Sequence, residues 1–319
     1  MRKKISIIVG GTGQFGITLA KLLVKKGHYV IVTSRNISKA KKKISFTHKK
    51  LKIIELDILK PYKINKILEI YRPNFLFYFA SQSSPSLSFA KKKETYLSNF
   101  QGCKNFLDQI RLKHLKCKFI NASSSEIFAN TNKKITLGSK KKPISPYGNS
   151  KFLSFNLTKE YRDKFKIETY NALIFNTESI YREKNYLIPK ICLAAIRAKK
   201  FKKKTAFGNL NISREWNWCD EQVKYLFKFL SKKPQDFLLS NQKLFSAKSM
   251  LKFAFDFFDL NYKNFTQNDQ KFYRPNDFLI RKSNASLSFK KNKIKFDYKI
   301  YGKKIIHRLI KYYLNEKKY

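Results

Sequence analysis

The chain has 319 residues, 43% of them hydrophobic, enough to bury the core of one large α/β unit and a smaller second domain. Its 69 Lys and Arg against 21 Asp and Glu give a formal net charge of +48. The lysine runs at 41–43, 91–93, 140–142, 202–204 and 290–291 are scattered, however, with neither a basic tail nor a recognition helix that would argue for nucleic acid.

Lys, Asn, Ile, Phe and Tyr are abundant together, as in an A/T-rich coding sequence, and solvated charge is the usual fate of such lysines. No apolar run approaches the roughly 18 residues of a membrane span. Cys103, Cys117, Cys192 and Cys219 have neither close pairing nor metal-type spacing, so no metal is expected and a reducing cytoplasm is the simplest compartment. The basic start followed by Ile5–Val9 superficially resembles a signal peptide. It runs straight into glycines without a small-residue cleavage site, and reads better as a first strand.

From there strands alternate with helices, which predicts a doubly wound, Rossmann-type parallel sheet covered on both faces. The strand candidates are Ile5–Val9, Tyr29–Thr33, Ile53–Leu56, Phe75–Phe79, Phe119–Ala122 and Thr169–Phe175. Phe15, Leu19, Leu22 and Leu23 fall at helical spacing, and Gly27 is placed to end that helix. Thr95–Lys113 and Tyr147–Phe165 read as two further long helices. Beyond about residue 175 the alternation loosens around 182–185 and 208–214, before helical patterns at Ser246–Leu260 and Lys303–Leu314. The expected division is a dinucleotide-binding domain over 1–173, completed by about 215–240. A smaller substrate-binding domain is expected over 174–214 and 241–319.

Gly10-Gly11-Thr12-Gly13-Gln14-Phe15-Gly16 joins the first strand to the first helix. Its glycines permit a tight turn, close approach of backbone to a pyrophosphate and tight helix–strand packing, and the helix start offers N–H groups to phosphate. Gly10, Thr12, Gly13, Gln14, Phe15 and Gly16 are the candidate cradle. About twenty residues on, where an NAD enzyme places an acid, the chain has Thr33-Ser34-Arg35-Asn36. Arg35 suits a 2′-phosphate, which favours NADP. Tyr147 and Lys151 stand one helical turn apart, where a lysine beside a phenol makes a base usable near neutrality.

Taken together, the glycine loop, Asp57 after the third strand and the Tyr147/Lys151 pair resemble the extended short-chain dehydrogenase/reductase family. That resemblance implies that Asp57 contacts adenine, with Ile58 and Ala80 beside the cofactor; the alternative for Asp57 is to cap the helix beginning near Pro61. Asn121-Ala122-Ser123-Ser124-Ser125-Glu126 places a carboxylate where sugar dehydratases keep a base. Further segments resemble the GDP-mannose 4,6-dehydratase family. These are Ala80-Ser81-Gln82-Ser83 with Ser88-Phe89, Phe175-Asn176-Thr177-Glu178-Ser179 followed by Arg182 and Lys190, Gly208-Asn209-Leu210 with Arg214-Glu215-Trp216, and Tyr273-Arg274-Pro275-Asn276-Asp277.

The resemblance covers nearly the whole chain. It implies catalysis by Ser124, Glu126, Tyr147 and Lys151, and a nucleotide sugar held by Ser83, Asn176, Glu178, Lys190, Arg214, Arg274 and Asp277. The implied reaction converts GDP-mannose to GDP-4-keto-6-deoxymannose by internal hydride transfer through NADP, in a homodimer or homotetramer. Departures leave the sugar open: Ser124 stands for Thr, Asp277 for Glu, Phe15 for an Asp, Thr177 for His and Ile180-Tyr181 for Pro-Arg. A reductase or epimerase acting on another nucleotide sugar is the main alternative. A non-catalytic dinucleotide-binding regulator has no reason to keep Ser124, Glu126, Tyr147 and Lys151 together.

Overall fold

The computed structural model describes residues 4–273 and 277–316, and the chain divides into two compact units. The first comprises the chain to Ala129, Leu137–Ile174 and Val223–Leu239. Its strands are β1 (Ile5–Val9), β2 (Tyr29–Ser34), β3 (Leu51–Glu55), β4 (Phe75–Tyr78), β5 (Lys118–Ser124), β6 (Thr169–Ile174) and β7 (Asp236–Leu239). All pair in parallel in the order β7-β6-β5-β4-β1-β2-β3. The reversal of order beside β1 is the place where an open α/β sheet of this kind accepts a ligand.

Helix α1 (Gln14–Lys25) buries Ile17, Leu19, Ala20, Leu23 and Val24, and Gly27 ends it in the left-handed region at φ +83°. Helices α2 (Ile37–Lys43), α3 (Pro61–Tyr71), α4 (Gly102–Leu112) and α5 (Pro146–Phe165) complete the layers. One face of the sheet buries Ile7, Val9, Ile31, Leu76 and Phe119 against Ile64 and Leu68 of α3 and Phe106 and Leu107 of α4.

Two of the expected elements in this unit differ from the structure. The third strand begins earlier, at Leu51 paired with Val30, because it follows the register of β2 rather than the apolar run that ends at Leu56. The helix expected over Thr95–Lys113 is also not uniform. A short helix, Lys92–Tyr96, passes through a π turn, Leu97–Gln101, before α4 begins. The widened turn carries Asn99, whose Oδ1 accepts from Gln82 N (3.0 Å) and whose Nδ2 donates to Ser150 Oγ (2.9 Å). Side-chain bonds of this kind replace the regular ladder where a π turn interrupts a helix.

The second unit comprises Asn130–Thr136, Phe175–Gln222 and the chain from Ser240 onward. Residues 130–136 were expected with the first domain. They belong here because Ile135 N donates to Lys282 O and Ile135 O accepts from Asn284 N, both at 2.8 Å. The return to the first unit begins at Val223, inside α7 (Cys219–Phe229), later than the expected 215. The core of this unit joins α6 (Leu187–Phe201), α8 (Ala247–Asp256) and α9 (Lys303–Asn315) through Ile191, Ala195, Met250, Leu251, Ile306 and Leu309. Helix α8 stops short of the expected Leu260, with Asp259 in the left-handed region at φ 55°.

Candidate active site

The first unit carries a phosphate-type loop and a Tyr–Lys pair. Gly10 has φ +75°, and a Cβ there would meet Ala80 N at 2.4 Å, so the loop passes hard against the end of β4. A Cβ on Gly13 would meet nothing closer than Gly10 O at 3.7 Å, which leaves room above the loop for another group. Gly13 is also the N-cap of α1 and offers no side-chain acceptor to the first turn, which contains no acid. The residues therefore fit a pyrophosphate: backbone donors and a positive helix end face a gap that only a glycine keeps open. Phe15 sets its ring edge against Phe79 at 5.8 Å between centroids, occupying the place of a polar residue with aromatic packing.

Arg35 follows β2 and is exposed. The adjacent Asn36 is committed elsewhere, accepting from Lys39 N (2.8 Å) as the cap of α2. Asp57 does not cap α3. Its Oδ1 accepts from Leu59 N (3.0 Å), while Lys60 occupies the cap position with Pro61 next, so the carboxylate shapes the turn before the helix. Ile58 O accepts from Asn105 Nδ2 (2.9 Å) and Ile58 packs over Gly102, fixing that turn to α4.

The end of β5 supplies Ser124, whose Oγ accepts from Glu126 N (3.2 Å) and starts a 3₁₀ turn, Ser125–Ile127. That turn leaves Glu126 half-buried. Helix α5 begins at Ser145, which caps it by accepting from Gly148 N (3.0 Å). A Cβ on Gly148 would meet Glu126 O at 2.7 Å, so the helix start and the 3₁₀ turn are in direct contact. The two elements bring Ser124, Glu126, Tyr147 and Lys151 into one region of the first unit.

Lys151 is 3% exposed, its Nζ 5.8 Å from the centre of the Tyr147 ring and donating to Ala122 O (2.8 Å). Burial lowers its pKa to about 8 against a weak opposing influence of Cys103. A lysine so placed still carries its charge at neutrality, and a cation beside a phenol makes the phenol more acidic.

Residues that sequence reasoning missed hold this region together. Tyr78 OH donates to Ser98 O (2.6 Å), Asn99 bridges Gln82 to Ser150, and Ser150 Oγ donates to Tyr147 O (2.8 Å). Nothing in the periodicity marks Asn99, because its role depends on a turn that departs from the helical repeat. Ser83, on the same stretch after β4, is exposed.

In the second unit Glu178 is buried at 3% exposure, with Arg182 Nε 3.9 Å from its Oε2. Burial raises its pKa to about 7, and the Arg182 charge opposes that rise. Arg182 in turn stacks 3.6 Å above the Tyr186 ring. Asn176 O accepts from Asn217 N (2.9 Å) and Asn217 Nδ2 (2.8 Å). Lys190 lies 3.8 Å over the Phe272 ring, and burial lowers its pKa. Arg214 is 2% exposed, donating to Asp277 Oδ1 (2.8 Å), Phe278 O (2.6 Å) and Ser213 O (2.9 Å). Two residues expected at the substrate thus bond to one another. Arg274 lies outside the described residues.

Among the described residues no group of three or more His, Cys, Asp or Glu is placed to hold a metal, and no helix is long and apolar enough to cross a membrane. The four cysteines are free and buried, and burial pushes the Cys103 thiol up to about 12.

The sequence profile of the GDP-mannose 4,6 dehydratase family matches residues 7–298. GDP-mannose 4,6 dehydratase 1 of Arabidopsis thaliana is 26% identical over 89% of this chain and 83% of its own length. GDP-mannose 4,6-dehydratase of Vibrio cholerae is 27% identical over 79% and 71%. The fold is similar to that of Thermus thermophilus UDP-glucose 4-epimerase complexed with NAD, at a TM-score of 0.85, 14% identity, and coverage of 98% of this chain and 99% of that one. It is equally similar to Bacillus anthracis dTDP-glucose 4,6-dehydratase in complex with NAD, at a TM-score of 0.85, 14% identity, and coverage of 99% and 98%.

Proposed function

We propose a reaction for this chain, which belongs to the GDP-mannose 4,6 dehydratase family: it removes water from GDP-mannose to give GDP-4-keto-6-deoxymannose. The observation that carries this reading is the grouping of Ser124, Glu126, Tyr147 and a buried Lys151 on one strand end and one helix start. Tyr147 takes the proton of the hydroxyl on carbon 4, eased by the Lys151 charge. When bound, NADP supplies the chemistry of accepting a hydride from carbon 4 and giving it back at carbon 6. Glu126 removes the proton on carbon 5, which the neighbouring ketone has acidified, and through Ser124 that proton leaves with the carbon 6 hydroxyl as water; when carbon 6 receives its hydride, carbon 5 takes up a proton in place of the one lost, balancing the one that Tyr147 drew from the carbon 4 hydroxyl. A base at carbon 5 is needed for dehydration but not for epimerisation or keto-reduction at carbon 4, which is why Glu126 favours the lyase over its relatives.

The cradle Gly10, Thr12, Gly13, Gln14, Phe15 and Gly16, with Asp57, Ile58 and Ala80, would hold the dinucleotide. Arg35, with no acid at positions 33–36, supports NADP over NAD. Ser83, Asn176, Glu178, Lys190, Arg214, Arg274 and Asp277 are the proposed nucleotide-sugar residues, since a diphosphate is best met by several cations. A homodimer or homotetramer in the cytoplasm completes the proposal.

Incubation with a panel of nucleotide sugars, followed by mass analysis for loss of one water, tests the reaction. Deuterium on carbon 4 should reappear on carbon 6. Glu126→Gln should keep binding yet lower product formation by about a hundred- to ten-thousand-fold, and Tyr147→Phe should stop hydride movement altogether. Untouched GDP-mannose together with NADPH-dependent reduction of a 4-keto sugar would refute the lyase in favour of a reductase.

A further inference from the structure

Arg214 and Glu215 are neighbours on a short strand, Ser213–Glu215, so their side chains leave on opposite faces. That strand is the middle of three, paired antiparallel with Leu244–Ser246 and in parallel with Ile280–Arg281. From one face Arg214 bonds Asp277 and the carbonyls of Phe278 and Leu279. From the other, Glu215, 2% exposed, accepts from Ser283 N (2.7 Å), Ser283 Oγ (2.6 Å) and Ser240 Oγ (2.6 Å). Both side chains therefore grip one stretch, 277–283, at its two ends. A buried carboxylate is tolerated only when hydrogen bonds and charge compensate its lost hydration. Here burial still raises the Glu215 pKa, while the three donors and the Lys134 charge offset part of that cost.

The lengths of the two carboxylates bear on this. Glu215 is one methylene longer than Asp277. The short Asp277 accepts from its own neighbour, Phe278 N (2.8 Å), as well as from Arg214. The long Glu215 spans to Ser283 and Ser240.

We propose that Glu215 is a positioning residue for nucleotide-sugar binding: with Arg214 it clamps residues 277–283, so that Asp277 and the arginine are presented to the ligand in one fixed arrangement. This rests on the reading that the second unit binds the nucleotide sugar. Glu215 does not touch the reacting atoms, and its effect belongs in substrate affinity rather than in the chemical step.

The test compares Glu215→Leu, which fills the space without an acceptor, with Glu215→Gln, which keeps one. In Glu215→Leu the amides of 277–283 should exchange hydrogen about tenfold faster, with β1, β4 and β5 unchanged. KM for GDP-mannose should rise about tenfold, as expected for losing hydrogen bonds to a buried charged acceptor. NADP affinity and kcat should stay within about twofold, and Glu215→Gln should recover most of the KM effect. If Glu215→Leu fails to fold, Ser240→Ala with Ser283→Ala replaces it, with the same expectations in smaller measure. Unchanged exchange across 277–283, or KM within twofold of the parent in a folded variant, overturns the proposal. So does an equal loss of NADP and substrate affinity, which would mean general destabilisation. Should the parent fail to turn over GDP-mannose, the lyase reading falls on that result, and the exchange measurement alone decides whether the clamp exists.

Discussion

Lys151 is a cation kept in the interior, and its protonation governs two properties with opposite pH dependence. Its pKa is lowered by burial from the ordinary 10.5 to about 8. Between those values the folded chain holds fewer protons on this group than the unfolded chain, so its contribution to stability rises with pH across that window. Activity should run the other way. Above about pH 8 the charge beside Tyr147 is lost, so log kcat should fall, and a pH–rate profile flat to pH 10 would contradict the assignment. Glu178 gives the complementary case, with its pKa raised from 4.5 to about 7 by burial. Across that window the folded chain keeps a proton that the unfolded chain releases, so stability is lost as pH rises. Glu178→Gln should therefore gain on the parent by an amount on the order of 2–3 kcal/mol between pH 5 and pH 8. Urea unfolding at both pH values measures it, and parallel pH dependences would exclude it. For Arg35, exposed beside the cap of α2, replacement by Ala should cost NADP about 1–3 kcal/mol of affinity while leaving NAD unaffected. Titrations with both cofactors decide; equal affinity of the parent for the two would remove the preference itself.

The glycine loop shows at the scale of an element how two glycines of one motif do different work. Gly10→Ala forces a Cβ onto Ala80 in a left-handed backbone, so thermal melting should show a loss of about 2 kcal/mol or more. Gly13→Ala meets no such obstacle; its melting temperature should hold within a few degrees while NADP binding falls at least tenfold, because the added methyl occupies the gap. A Gly13→Ala variant that binds NADP normally would remove the pyrophosphate from this position. The first six strands and α1 were legible in the sequence because each is an apolar run bounded by turn residues, and β-sheet burial on both faces enforces that pattern. The Tyr147/Lys151 pair was legible from its spacing and its place after β5. What escaped depends on partners distant in sequence. The start of β3 is set by Val30, and the π turn by Gln82 and Ser150. The mutual bonding of Arg214 and Asp277 was hidden for the same reason, since each alone reads as a ligand-directed charge.

At the scale of the whole molecule, the two units are interleaved along the chain. Residues 130–136 leave the first unit to bond Lys282 and Asn284; the chain returns at Leu137, leaves again after Ile174 and comes back at Val223. Ion pairs one helical turn apart, such as Lys104–Asp108 and Lys252–Asp256, are worth a few tenths of a kcal/mol each, whereas the less exposed Arg162–Asp236 and Arg214–Asp277 pairs join distant stretches of chain. The late return of β7 has its own consequence for how the protein is made. As the chain leaves the ribosome, β6 is an open sheet edge from Ile174 until Asp236–Leu239 arrives to pair with it, while the whole of 175–222 is synthesised in between. Unpaired edges on apolar strands are where nascent chains associate wrongly. A stalled or truncated product ending before residue 236 should therefore depend on a chaperone to stay dispersed, whereas in the completed chain the four-residue β7 covers β6 and leaves only a short edge of its own.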